Sequence, residues 1–370
     1  MIRSQEMLIN MGPQHPSTHG VLRLILRTDG EFVYDVEPCI GYLHRSLEKI
    51  AENLTYPQFI PITDRLDYLA AINCNFVYCH TVERLMGIEV PLRAQYIRVI
   101  ACELNRIASH LIMFGTMGMD MGAFTPFLYA IRERERINDL LEELTGARLT
   151  YNYIRIGGVA HDLPDGWKEK CLEFINYFRP KIKEYNDLLS YNVIFMKRLG
   201  GVGVLTKEDA INYGVTGPNL RATGFKWDLR KNMPYSSYDK FDFEVPVGTG
   251  EGGKLGDAFD RYMLRIKEMM ESTKIIEQAL LSLPEGEIMA KVPRVLKVKE
   301  GEVYFGAENP RGETGFYIKS NGGTKPERVK IRGASFSNIH ALKKVLQGVL
   351  IQDLVAIVGS FDIILPESDR

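Results

Sequence analysis

The 370-residue chain sets 46 Lys and Arg against 47 Asp and Glu, a formal net charge of -1. That balance offers no basic face for nucleic acid and no polybasic membrane anchor. The length supports a large core and two or three structural units, and no apolar run approaches the roughly 18 residues a spanning helix needs.

Gln5–Met11 leads into a loop, Gly12-Pro13-Gln14-His15-Pro16-Ser17-Thr18-His19-Gly20, in which two prolines restrain the backbone while histidines and hydroxyls crowd the side chains. Only eleven residues precede it, too few for a typical transit peptide, and there is no apolar signal core. This favours a bacterial or organellar-encoded protein. Beyond the loop Leu22, Leu24 and Leu26 alternate with Arg23, Ile25 and Arg27, and Asp29-Gly30 turns into Phe32–Val36, a strand, hairpin and strand. The period then changes. The segment from Gly41 to about Asn53 reads as helical, and Pro61–Asp64 supplies the start of a helix with Leu69, Ile72, Phe76 and Cys79 on one face up to Gly87. Pro91 begins a third, striped by Ile97, Ile100, Leu104, Ile107 and Leu111 and running into Met117–Gly122; Thr125-Pro126 caps a fourth, which ends at Gly146. These long helices predict a bundle.

A loop from Tyr151 to Pro164 precedes a helix marked by Trp167, Cys171, Phe174, Phe178, Ile182 and Tyr185, which Pro180 is expected to kink or interrupt. Thr206 caps a short helix ending near Gly214. Residues 216–247 read as irregular with a strand-like end, Phe243–Val247, and a long helix spans roughly Asp257 to Leu283. Past Pro284 the period is two, with strand-like runs at Glu302–Phe305, Gly315–Lys319 and Arg328–Ile331, then a helix near Ser337–Gln347 and a final stretch, Val355–Leu365. The fold class is α+β: a small N-terminal antiparallel sheet with the polar loop (1–40), a central long-helix bundle (41–285) and a C-terminal mixed α/β region (286–370).

Several motifs compete for a role. Gly248-Thr249-Gly250-Glu251-Gly252-Gly253 fits GxGxxG, but the acidic residue of a dinucleotide site would fall inside one long helix, so a flexible connection is the better reading. The five cysteines, Cys39, Cys74, Cys79, Cys102 and Cys171, are odd in number and contain no CxxC pair. This argues for a reducing compartment and against a disulfide framework, a zinc ribbon or a cluster held by this chain alone. His15 and His19 are spaced as helical metal ligands are, yet Pro16 excludes the helix; they remain candidates for proton donation or hydrogen bonding. Asp120 stands in a Met-rich run, where it is expected to line a cavity or pair with a cation or histidine; Asp67 and Tyr68 read as ordinary helix-surface residues.

A series of blocks carries a resemblance over essentially the whole chain. They are Gly12–Gly20 followed by Val21-Leu22-Arg23-Leu24, Gly41-Tyr42-Leu43-His44-Arg45 with Glu48-Lys49, Asp64-Arg65-Leu66-Asp67-Tyr68, Arg106-Ile107-Ala108-Ser109-His110, Arg132-Glu133-Arg134-Glu135, Tyr153–Val159, and Val358-Gly359-Ser360-Phe361-Asp362 with Asp369-Arg370. In these the chain resembles the quinone-site family of respiratory complex I, the 49 kDa or D-type subunits, itself similar in fold to the large subunit of nickel-iron hydrogenases. The hydrogenase metal centre needs two CxxC pairs. Where they would fall, this chain has Asp67 and Ala70, and Ile364 and Glu367, so no thiolate stands there.

The resemblance implies a hydrogenase-like scaffold whose vacated cavity receives a quinone headgroup, with His19 and Tyr68 as headgroup ligands and Asp120 as partner of the loop histidine. His15, Ser17, Thr18, Gly20, Met119 and Met121 would line the pocket, and Arg45 and Arg155 would lie near an iron–sulfur cluster on a partner subunit. It further implies no metal or cofactor bound by this chain alone, quinone as substrate, and as partners the B-type iron–sulfur subunit, the C-type subunit and the H-type subunit of the membrane arm. The implied setting is the cytoplasmic face of a bacterial membrane or its organellar equivalent, with quinone reduction driving proton translocation as part of an NADH:quinone oxidoreductase. Two other classes stay open: a structural scaffold subunit, and a degenerate hydrogenase-type large subunit, which nickel in the purified protein would revive. The chain departs from many relatives at Ser46, where they carry Gly, and at Thr150, where they carry a histidine beside the cluster. The first is expected to matter little. The second predicts a cluster potential less dependent on pH than in His-bearing relatives, and a steep slope in redox titrations at several pH values would sink it.

Overall fold

The computed structural model describes residues 6–15 and 20–370. Strands β1 (Glu6–Met11), β2 (Arg23–Asp29) and β3 (Phe32–Cys39) form the expected antiparallel meander, extended by β9 (Val349–Leu350) against β3. The alternation in β2 decides its facing: Leu22, Leu24 and Leu26 are buried, while Arg27 looks outward. At the end of this sheet His15 forms an isolated antiparallel bridge with Gly20.

Helices α1 (Leu47–Asn53) and α2 (Tyr56–Thr63) follow. Pro61 lies inside α2 rather than at a helix start, because Thr55 and Gln58 already make the N-terminal cap, Gln58 Oε1 accepting from the Thr55 amide at 3.0 Å. The next helix begins later than expected: a 3₁₀ turn, Tyr68–Ala70, intervenes before α3 (Ala71–Met86). Helix α4 (Leu92–Asp120) carries its apolar stripe inward, but it is buried nearly all round, as befits a helix at the centre of the molecule rather than along a seam. Helix α5 (Thr125–Thr145) starts at Thr125 itself, with Phe124 in the cap position and Pro126 in the first turn, and ends at Gly146 in a left-handed conformation.

After the short hairpin β4 (Ile154–Arg155) and β5 (Gly158–Val159), α6 (Trp167–Tyr185) passes straight through Pro180. No interruption arises because Pro180 and Asn176, whose carbonyl loses its partner, both face solvent. A π-helical turn, Asn186–Ser190, follows instead. Helices α7 (Val193–Leu199) and α8 (Lys207–Asn212, capped by Thr206) lead into the irregular region, which contains α9 (Pro218–Arg221) and α10 (Leu229–Asn232). Phe243–Val247 is not a strand: the amides of Asp242 and Glu244 are taken by the Gln278 and Glu271 side chains of α11 (Ala258–Leu281), so no ladder is needed. Beyond it β6 (Gly301–Asn309), β7 (Gly312–Ser320) and β8 (Arg328–Arg332) make a second antiparallel sheet. The helix expected near 337–347 is two pieces, α12 (Ala334–Ile339) and α13 (Leu342–Val345); α14 (Ile351–Phe361) and α15 (Leu365–Asp369) close the chain.

Two apolar cores result. One joins α3, α4, α6 and α11 to the second sheet; the other packs the first sheet against residues of α8, α9, α13 and α14. No helix among the described residues is long and apolar enough to cross a membrane.

Candidate functional site

Tyr68 opens the 3₁₀ turn and keeps 39 % of its surface exposed, whereas Asp67 before it is completely buried. The pair is therefore not an ordinary helix surface. Asp67 Oδ1 accepts from the Leu69 amide at 3.2 Å, and Asn105 of α4 braces the same turn by donating to the Leu69 carbonyl at 3.0 Å. Burial pushes the Tyr68 phenol above its ordinary range, further from ionisation at neutral pH, where it is a hydrogen-bond donor.

Gly20 ends the polar loop at a φ of 126°, and a Cβ there would stand 3.2 Å from Leu365, so the loop returns against α15. His15 belongs to the described residues; His19, Ser17 and Thr18 lie outside them. Asp120 is the last residue of α4, half-buried, with Met119 37 % exposed and Met121 half-buried beside it. Among the described residues no group of three or more His, Cys, Asp and Glu side chains is arranged to hold a metal ion.

Two arginines occupy separate loops. Arg45 is exposed in the turn after Gly41, and the C-terminal Asp369 fixes that turn: its carboxylate accepts from the Gly41 and Leu43 amides, each at 2.7 Å, and its carbonyl stands 2.6 Å from His44 Nδ1. Arg155 is half-buried at the β4–β5 hairpin, its Nη1 donating to Asn152 Oδ1 at 3.0 Å. Arg98 holds that hairpin from beneath through the carbonyls of Arg155 and Gly158, and is itself paired with Glu83 at 2.6 Å. Although burial opposes its charge, Arg98 holds Glu83 down to about 2.

A buried ionic assembly, not apparent from the sequence, adjoins Asp67. Arg311 reaches Asp67 and Asp362; Arg265 lies 3.6 Å from Asp362; and deeper, Glu268 pairs with His110 and Arg221, and Glu103 with Arg106 and Arg230. A signal was present: Glu103, Arg106 and His110 on α4, and Arg261, Arg265 and Glu268 on α11, recur three or four apart within helices that bury most of their faces. The GxGxxG segment also resolves. Its amides at Thr249 and Gly250, with that of Gly256, converge on the Asp260 carboxylate at 2.9–3.2 Å, so the loop is a cradle filled from within.

Comparison with known proteins fits these features to one group. The model of the family "Respiratory-chain NADH dehydrogenase, 49 Kd subunit" matches residues 120–299 and 294–370. Proteins named as the D subunit of NADH-quinone oxidoreductase from Bacillus cereus, Bacillus cytotoxicus and Bacillus anthracis are each 55% identical over 370 residues, covering 100% of this chain and 100% of the relative. The chain belongs to this family. As a member of the 49 kDa family it is one subunit of an oxidoreductase complex, and Tyr68 and Asp120 are two of its positions where the architecture leaves a polar group accessible at the edge of the core.

Proposed function

We propose that this chain is the quinone-binding subunit of a respiratory NADH:quinone oxidoreductase, and that quinone is reduced at His19 and Tyr68. The observation that carries the reading is the full-length identity of 55% to relatives named as the D subunit of NADH-quinone oxidoreductase. A quinone accepts two electrons and two protons, and both oxygens become strongly basic as the electrons arrive. The Tyr68 phenol, protonated at neutral pH, donates to one oxygen. The His19 imidazolium donates to the other, and Asp120, as its partner, favours the charged ring and helps return the proton afterwards. His15, Ser17, Thr18 and Gly20 form the loop wall, and Met119 and Met121 the apolar side that receives the ring. Electrons come by tunnelling from an iron–sulfur cluster on the adjoining B-type subunit, toward which Arg45 and Arg155 present their charge. The C-type and H-type subunits complete the surroundings at the cytoplasmic face of the membrane, or its organellar equivalent, and the reaction drives proton translocation in the membrane arm. The three regions 1–40, 41–285 and 286–370 serve as loop wall, bundle and closing clasp.

The test is quinone reductase activity of the assembled complex carrying His19→Ala or Tyr68→Phe. A proton donor of this kind contributes about 10²-fold or more, so each variant is expected to lose at least about tenfold with the complex intact. Full activity in both would overturn the reading and favour a scaffold role.

A further inference from the structure

Arg311, in the turn between β6 and β7, sends its side chain into the core rather than out to solvent. The turn is closely packed against the Thr216–Gly217 segment: a Cβ on the next residue, Gly312, would stand 2.4 Å from Thr216 Oγ1, and one on Gly217 would stand 2.8 Å from the Arg311 carbonyl oxygen. That carbonyl accepts from Asn338 Nδ2 at 3.0 Å. The fully buried guanidinium then links separate parts of the chain. Nη1 donates to Asp67 Oδ2 at 2.7 Å and to Ser109 Oγ of α4 at 3.0 Å, and Nη2 donates to Asp362 Oδ1 at 3.2 Å, just past α14.

Such a knot is a poor source of stability, since desolvating the charges offsets most of their attraction and an apolar filling would do as well. It does supply geometry. Asp67 divides its two oxygens, one on the guanidinium and one on the amide of Leu69, so the side chain that grips Arg311 also caps the turn on which Tyr68 stands. We propose that Arg311 is the positioning residue for Tyr68, holding the phenol in place for the quinone through Asp67. The inference rests on the quinone-site reading above and adds to it a residue that touches no substrate.

The assembled complex decides it, with Tyr68→Phe as the reference. Arg311→Met is expected to raise KM for a short-chain quinone about tenfold while kcat falls less than threefold and the electron paramagnetic resonance spectrum of the partner's cluster is unchanged. A KM within twofold of the parent overturns the proposal. Should the Met variant fail to assemble, Arg311→Lys decides: one ammonium cannot span Asp67, Ser109 and Asp362 together, so a threefold or larger rise in KM is expected and an unchanged KM overturns it. Because Arg311 is held to act through Tyr68, adding its substitution to Tyr68→Phe is expected to cost less than a further twofold; fully multiplicative losses overturn the proposal. If Tyr68→Phe is itself silent, the quinone-site reading falls and this inference with it. If Tyr68→Phe is impaired and both Arg311 variants are normal, only this inference falls.

Discussion

Asp64 is a carboxylate whose burial outweighs the Asn75 and Asn152 bonds and the Arg65 and Arg155 charges that favour its ionised form. It is completely buried, its Oδ2 accepts from the Asn152 amide at 3.1 Å, and burial pushes it up to about 7 from 3.8. Because the folded-state value is raised, its contribution to stability is present in full below about pH 4 and disappears as pH rises through 7. The chain should therefore be more stable at pH 5 than at pH 8.5 by about 2–3 kcal/mol from this residue alone. In Asp64→Asn, which keeps an acceptor for Asn152, that difference should vanish from urea midpoints measured at the two pH values; an unaltered difference would assign the dependence elsewhere. Asp64 also shows what a single residue conceals in sequence. Nothing in Asp64-Arg65-Leu66-Asp67-Tyr68 marks two of its carboxylates as buried, since their partners Asn152 and Arg311 lie 88 and 244 positions away. Tyr68 was legible only through the resemblance of its block, Asp120 already as an acid in a Met-rich run, its role coming from the resemblance, and Arg311 through neither route.

At the scale of elements, periodicity located the long helices because an amphipathic or buried stripe must repeat whatever it packs against. It failed where side chains replaced backbone ladders, as at Phe243–Val247, and where one residue redirected the chain, as Asp67 does before α3. The entry to α1 is a further case. Ser46 takes the cap position at φ 56° and ψ 42°, a left-handed conformation, and its hydroxyl makes no capping bond. A side chain there costs about 1 kcal/mol relative to glycine. Ser46→Gly should accordingly stabilise the chain by no more than about 0.5 kcal/mol after allowing for the freer unfolded glycine, seen as a slightly higher denaturation midpoint. A lower midpoint would mean that the serine makes a contact worth more than its backbone strain. The effect is expected in stability alone, because the bonds from the Gly41 and Leu43 amides to Asp369 that fix the turn before Arg45 do not involve Ser46.

Across the whole molecule the C-terminal segment returns to the N-terminal sheet and the turn that follows it. Strand β9 adds to the N-terminal sheet, Asp369 grips the Gly41–His44 turn, and Asp362 shares Arg311 with Asp67, so segments more than 200 residues apart determine where Tyr68 and Arg45 stand. Such long-range closure is what no local pattern encodes, and the α+β class was legible while the joining of its parts was not. The Gly248–Gly253 loop carries the same lesson into ligand chemistry. A phosphate approaching those amides competes with the Asp260 carboxylate, a ligand tethered to its own receptor at an effective concentration on the order of millimolar or more. The glycines that make a phosphate cradle make a carboxylate cradle equally well, and here the receptor is already saturated by its own chain.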